Sequence, residues 1–336
     1  MRRNGMERFI MGNEQILPKS EHFQLRKLAD GVYVAIQTLS GSAGANAGII
    51  DLGGHTVIFD TFLTPKAASE LRAAAETLTD HPVTTVINSH HHIDHCWGNQ
   101  VFAESTNIIA TTATREVIAT KGKQEVLWQQ ENASKNLAEA EKRSKGAAKE
   151  KERQQRQQEL HRYQAIVAAL PNLTLRLPNM TFDSRLVLYG TQRRAELRTY
   201  GPGHTQGDAV LYLPDEGILF AGDLVCAGFH PYLADGDPGE VTRILDIMRK
   251  LNPTRVIPGH GEVGDMQIID DTARYLSTVT EMALIELAYK LENPAQLDDK
   301  IAELAVPKAF APWSQANYFA ANLRFLYERL MKAYAD

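Results

Sequence analysis

The sequence predicts an α/β protein whose strands and helices share one layered unit. Three observations carry that expectation. β-branched runs alternate with a helix in the first ninety residues, and strand-like runs resume after a long helical stretch. Histidines and aspartates then stand, framed by glycine, where those strand-like runs end.

The elements follow in order. "GVYVAIQT" (31–38), "NAGIIDL" (46–52) and "HTVIFDT" (55–61) read as strands, with a Gly-Gly turn between the last two. "TPKAASELRAAAETLT" (64–79) reads as a helix, with Thr64 as N-cap and Pro65 at the first helical position. "VTTVINS" (83–89) is a further strand. Residues 111–169 break the rhythm, because the stretch from Glu131 to Leu170 is almost entirely helix-forming, carries mixed charge and has few apolar positions. It reads as an insertion: a solvated helix or helical hairpin, or in a sharper reading a lid or dimerisation arm over a site. "LTLRLP", "RLVLYG", "AELRTYG", "AVLYLP" and "GILFAGD" then read as strands, "PGEVTRILDIMRKLN" (238–252) as a helix and "TRVIPGHG" (254–261) as a strand. The last seventy residues have the apolar spacing of helices packed on a main body, over 270–292, about 297–305 and 314–334.

Composition narrows the class. The chain has 336 residues, 43% hydrophobic and 23% charged, with a formal net charge of −5. That balance gives no global basic footprint for nucleic acid, which is not expected as a partner. No run approaches a membrane span. Two cysteines, Cys96 and Cys226, make no disulfide framework and suit a reducing compartment, so a cytoplasmic protein is expected. Residues 1–24 read as an N-terminal leader.

The stretch "SHHHIDHCWGN" (89–99) places four histidines and an aspartate within a few positions. Neutral imidazole is the commonest metal ligand, so metal binding explains this crowding better than a chance cluster of core histidines. In extended backbone, side chains at i and i+2 share a side. His90 and His92 can therefore grip one ion while His91 points away, and Asp94 and His95 can reach a second. Imidazoles mixed with a carboxylate suit Zn²⁺, Fe or Mn rather than Ca²⁺ or Mg²⁺. Further candidates are His204 in "TYGPGHTQGD", Asp223 in "ILFAGDL" and His260 in "RVIPGHGE". A lone turn histidine means little. Several strand ends repeating one logic imply convergence on one cleft.

The order His-x-His-x-Asp-His, Gly-His-Thr, Gly-Asp, Gly-His-Gly resembles the metallo-β-lactamase superfamily over roughly residues 30–265. The resemblance implies a four-layer αββα sandwich over 25–265, with the helical insertion at 111–169 and the helical segment 266–336 packed on it. It also implies two divalent metal ions, zinc first, with iron or manganese as alternatives. His90, His92 and His204 would hold one ion, Asp94, His95 and His260 the other, and Asp223 would bridge them. Asp60, which closes "VIFD", would orient a ligand, and His91 would support the site without ligating. With a hydroxide shared between the ions and aligned by Asp94, the expected activity is hydrolysis of a small ester, lactone or thioester. Phosphodiester cleavage and iron-dependent oxygenation are the alternatives. β-Lactamases of the commonest type carry cysteine where this chain has Asp223, so a typical β-lactamase is not expected. Trp97, Phe229, His230 and Tyr232 are candidates for the substrate pocket, and the insertion or C-terminal helices for a homodimer contact. His22, His55, His81 and His161 are expected to be ordinary solvent-exposed histidines.

Overall fold

The computed structural model describes residues 16–146, 150–289 and 293–335. The leader proposed for residues 1–24 therefore lies largely outside the described residues. Two sheets form the centre. The first has strands β1 (Phe23–Ala29), β2 (Val32–Gln37), β3 (Ala47–Asp51), β4 (Thr56–Phe59), β5 (Val83–Ile87), β6 (Asn107–Thr111) and β7 (Met180–Phe182), adjacent in chain order. The second has the order β12-β11-β10-β9-β8, from β8 (Arg185–Tyr189), β9 (Arg194–Arg198), β10 (Val210–Leu213), β11 (Ile218–Cys226) and β12 (Arg255–His260).

Period-two alternation builds the layers. On β2, Val32, Val34 and Ile36 face the second sheet, where they join Leu211, Phe220 and Ile257 in the inter-sheet core. Tyr33 and Ala35 of the same strand face outward with Ala67 and Leu71 of helix α1 (Pro65–Thr79). On β11, Leu219 and Ala221 face the opposite way from Phe220. They meet Ile244 and Leu245 of α6 (Pro238–Lys250), Tyr275 and Leu276 of α7 (Met266–Met282), and Leu323 of α9 (Asn317–Ala335). Helix, sheet, sheet, helix is the resulting order, the αββα sandwich expected. Each fully buried Leu, Ile or Phe contributes roughly 1.5–3 kcal/mol of burial, so both sheet faces need their cover. Thr64 caps α1 as anticipated, its hydroxyl accepting from the Ala67 amide at 3.3 Å.

Residues 112–169 form α3 (Thr112–Thr120), α4 (Gly122–Ser144) and α5 (Glu150–Ala169), the last two an antiparallel hairpin. Arg143 bridges them, donating to Glu159 at 2.8 Å. Ala133 of α4 and Ile166 of α5 pack on Leu63, Cys96 and Trp97 in a separate small core, so the hairpin sits on the histidine-bearing loop.

Three elements differ from the sequence reading. β1, β6 and β7 are strands that it did not single out, and "LTLRLP" (173–178) is not a strand. Its alternating Leu173, Leu175 and Leu177 do share a face, but that face meets the hairpin core. No ladder partner lies alongside; instead Arg176 donates to the carbonyls of Phe102 and Ala103. Alternation reported one buried face correctly and could not report which element covered it. His22, expected at the surface, is 5% exposed beneath Ser42, whose amide donates to its Nδ1 at 3.2 Å.

Candidate metal centre

The cluster lies where strands end. The loop after β5 and the short helix α2 (Ile93–Cys96) carry His90, His92, Asp94 and His95. His204 stands in the loop between β9 and β10, Asp223 within β11, and His260 at the end of β12. Parallel pairing brings the last two together, since Cys226 and His260 are register partners across β11 and β12. The register breaks around Gly222, where φ is +54°, a conformation that glycine adopts without a Cβ penalty. Gly259 is required for a different reason. A Cβ there would lie 1.9 Å from Asp223 Oδ1, so only glycine lets that carboxylate settle against β12.

The structure brings together the seven proposed ligands. His90, His92, His204 and Asp223 form one group and Asp94, His95 and His260 a second, the candidate atoms of each group lying within 4.8 Å of one another. Asp223 stands between the groups. Its Oδ2 is 3.5 Å from His204 Nε2 and 3.3 Å from His260 Nε2, and its Oδ1 is 3.3 Å from His95 Nε2. His92 Nδ1 is 3.0 Å from His90 Nε2 and 3.1 Å from His204 Nε2.

Most of these imidazoles turn one nitrogen inward and have the other held from behind, the arrangement that fixes ring orientation and tautomer in metal sites. His95 Nδ1 meets Asp60 Oδ2 at 2.8 Å, and His90 Nδ1 meets Ser89 Oγ at 2.9 Å. His260 Nδ1 meets Gln37 Nε2 at 2.9 Å, and His92 Nε2 meets Asp235 Oδ2 at 2.9 Å. Asp60 is fixed in turn, accepting from the Ser89 amide at 2.7 Å and its hydroxyl at 2.8 Å. Its φ of +65° turns the chain sharply after β4, so the carboxylate faces the loop.

The electrostatics suit a cation. Burial pushes His90 well below the ordinary histidine range and His204 down to about 3, keeping both rings neutral with lone pairs available. Burial alone would raise Asp223, but His260 and His95 outweigh it and hold the carboxyl well below its usual range. Burial likewise opposes ionisation of Asp94, yet Arg162, His95 and His260 keep it lowered. For His95, burial disfavours the charge, while Asp223 and Asp60 overcome it and raise the pKa. Two buried atoms at the centre, His95 Nε2 and Asp223 Oδ1, find no hydrogen-bond partner among the described residues. Facing lone pairs with no proton geometry between them are what a bound cation satisfies, so this donor set fits a metal.

The remaining candidates fall around a cavity of about 1000 Å³. His91 does not turn away as extended backbone would dictate. Residues 89–92 are irregular rather than a strand, and His91 lies at the cavity edge, within 4.8 Å of His92 and Asp235 by candidate ligand atoms. Burial lowers its pKa to about 4. Trp97, 2% exposed, closes the cavity floor against the hairpin core. Phe229 has its ring 5.7 Å from His260, and Tyr232 lies 5.9 Å from His92. His230 borders the same space, but its ring is turned into the tail, where Nδ1 meets Tyr275 Oη at 3.0 Å. Sequence reasoning missed Ser89, Gln37, Asp235, Arg162 and Tyr318. Of these only Ser89, within the histidine stretch, and Asp235, in "LADGD" a few residues past Asp223, carry a positional hint.

Comparison with known proteins agrees with this architecture. A model of the metallo-beta-lactamase superfamily matches residues 41–260. A metallo-beta-lactamase from Pontibacter korlensis is similar at a TM-score of 0.54 and 20% identity, over 76% of this chain and 99% of that one. VMB-1 is similar at 0.55 and 19% identity, over 77% and 99%. At such identities the likeness is one of fold. A hydroxyacylglutathione hydrolase of Synechococcus sp. (strain JA-3-3Ab) is 42% identical over 60 residues, which is 18% of this chain and 24% of that protein. Among the described residues no helix is long and apolar enough to cross a membrane. Fold, family model and ordered His/Asp cluster agree, and the chain belongs to the metallo-beta-lactamase superfamily.

Proposed function

We propose that the protein is a dinuclear metal-dependent hydrolase acting on a small ester, lactone or thioester. The observation that carries this reading is the placement of Asp223 between two groups of ligand atoms whose outward nitrogens are mostly anchored. His90, His92 and His204 would hold one divalent ion and Asp94, His95 and His260 the other, with Asp223 shared and zinc the first candidate. When bound, the ions would supply a hydrolytic nucleophile at neutral pH and a Lewis acid for the carbonyl oxygen.

The chain's own side chains do the rest. Asp60 fixes the His95 ring, Gln37 the His260 ring and Asp235 the His92 ring, so the inward nitrogens need no reorganisation. Asp94, kept ionised, can accept a hydrogen bond from the attacking water and hold it toward the carbonyl carbon. Trp97, Phe229 and Tyr232 give the acyl chain an apolar wall. Only two of the seven ligands are carboxylates, which leaves a cation-loaded site net positive and favours the anionic tetrahedral state. The partial likeness to a hydrolase named for an acyl–glutathione substrate, a thioester, supports the acyl-transfer reading over phosphodiester cleavage.

The test is a panel of activated esters, lactones, thioesters and bis-nitrophenyl phosphate, assayed with Zn²⁺, Mn²⁺ and Fe²⁺, alongside metal analysis of protein purified without added metal. About two metal equivalents and turnover of the acyl compounds are expected. Turnover of the phosphodiester alone would overturn the reading, as would a single iron with oxygen consumption.

A further inference from the structure

The inserted hairpin places one cation against the ligand cluster. Arg162 of α5 donates from Nη1 to Asp94 Oδ2 at 3.1 Å, and that oxygen is 3.8 Å from His260 Nε2. The other arginines that the hairpin turns to the cavity are used within the hairpin itself. Arg143 pairs with Glu159, and Arg156 with Glu152 and the Arg143 carbonyl. Arg162 spends one donor on Asp94, and its remaining N–H groups have no hydrogen-bond partner among the described residues. Its side chain is 38% exposed, and both it and the neighbouring Tyr163 and Tyr318 border the cavity.

We propose that Arg162 is the specificity-determining residue of the cleft and that the substrate carries a carboxylate a few bonds from the ester, lactone or thioester carbonyl. This deepens the hydrolase reading above and rests on it. A guanidinium is a planar fork of five donors matched to a carboxylate, and one bond to Asp94 leaves most of that fork unused. Cations held by the seven ligands compete for the Asp94 carboxylate, which frees Arg162 for another anion. Because it touches a proposed ligand directly, any anion it holds lies within a small molecule's length of the reacting centre. The tyrosines beside it add no competing negative charge at neutral pH, burial being the main cause that raises Tyr318.

The experiment compares 4-nitrophenyl hydrogen glutarate with neutral 4-nitrophenyl butyrate, using the full-length, metal-loaded protein. The parent is expected to prefer the anionic ester by about ten-fold or more in kcat/KM, chiefly through KM. In Arg162→Gln that ratio should collapse toward one with metal content kept, whereas Arg162→Lys should retain part of it. A second readout is independent of turnover: calorimetric binding of monomethyl glutarate against dimethyl glutarate, with the same ratio and the same loss expected. A merely structural arginine would lower both esters together and leave the ratio in place. The inference is overturned if the parent shows no anionic preference, or if Arg162→Gln keeps it. If neither ester is hydrolysed, the hydrolase reading fails, and calorimetry still decides the role of Arg162.

Discussion

The floor and the wall of the cleft are built on different principles. The floor consists of strand ends and the loop after β5, and its polar groups are buried and locked. His95 is fully buried between Asp60 and Asp223, and Gly259 exists to let Asp223 approach. The wall consists of α4 and α5, whose charged residues are mostly exposed and pair among themselves: Arg143 with Glu159, Arg153 with Glu150. Pairs of that kind contribute little to stability, about 0.3–0.5 kcal/mol within one helix. The difference separates two jobs. A rigid floor can hold ions without reorganising, while a wall that contributes little binding chemistry can change without disturbing it. Arg162 is where the two meet.

The largest expected effect comes from the floor. Asp223→Ala or His92→Ala should remove most bound metal and lower turnover by at least roughly 100-fold, with circular dichroism unchanged. Parent-like hydrolysis by either variant would mean that the reaction lies elsewhere. Next is Asp60→Asn, which keeps the shape but gives His95 a neutral partner in place of a carboxylate. A loss of about 10–100-fold in metal affinity is expected by competition with a chelator. An unchanged affinity would show that the ring needs no such support.

Removing the wall should act differently. Deleting residues 131–165 takes away Arg162 and the cover over Leu63 and Trp97, so some thermal stability is lost. Metal affinity should stay within about three-fold of the parent, because no proposed ligand is deleted and outer supports of this kind are what set the 10–100-fold changes. Substrate preference across the ester and thioester panel should change by more than that. If metal binding falls as far as in Asp60→Asn, the two regions are not separable and the hairpin is part of the floor.

The contrast also explains what could be read from the sequence. The ligands were legible because the histidine stretch is dense and because His204, Asp223 and His260 each sit in a glycine frame at the end of a strand-like run. Gln37, Asp235 and Arg162 were not legible. Each is a single polar residue whose meaning depends on a partner far along the chain, as with His92 and Asp235, which are 143 positions apart. Arg162 in particular sits among "KEKERQQRQQELHR", where local pattern marks a solvated helix and nothing distinguishes one arginine from the next. The layering was legible from alternation, but "LTLRLP" shows the limit: a strand-like pattern records a buried face, not a ladder. His91 failed for the related reason that the i, i+2 rule needs extended backbone, and residues 89–92 are not extended as a strand.

The smallest expected effect tests whether the floor is closed even though the cleft above it is open. Cys96 follows His95 and lies 3% exposed, its thiol donating to the carbonyls of His91 and His92 at 3.4 and 3.3 Å. Cys226, equally buried, pairs in register with His260. Burial is the first cause that pushes both thiols above their ordinary range, and the carboxylates nearby push the same way. The thiolate is the reactive species, so neither cysteine should be an effective nucleophile at pH 8. Iodoacetamide is expected to label the folded protein at least about ten-fold more slowly than the same chain in guanidinium, with or without metal. Rapid labelling of Cys96 in the folded state, mapped by peptide mass, would show the loop under the ligands opening on the timescale of the reaction. The anchored geometry assigned to the floor would then be an average over open and closed forms, and the separation from the wall would lose its basis.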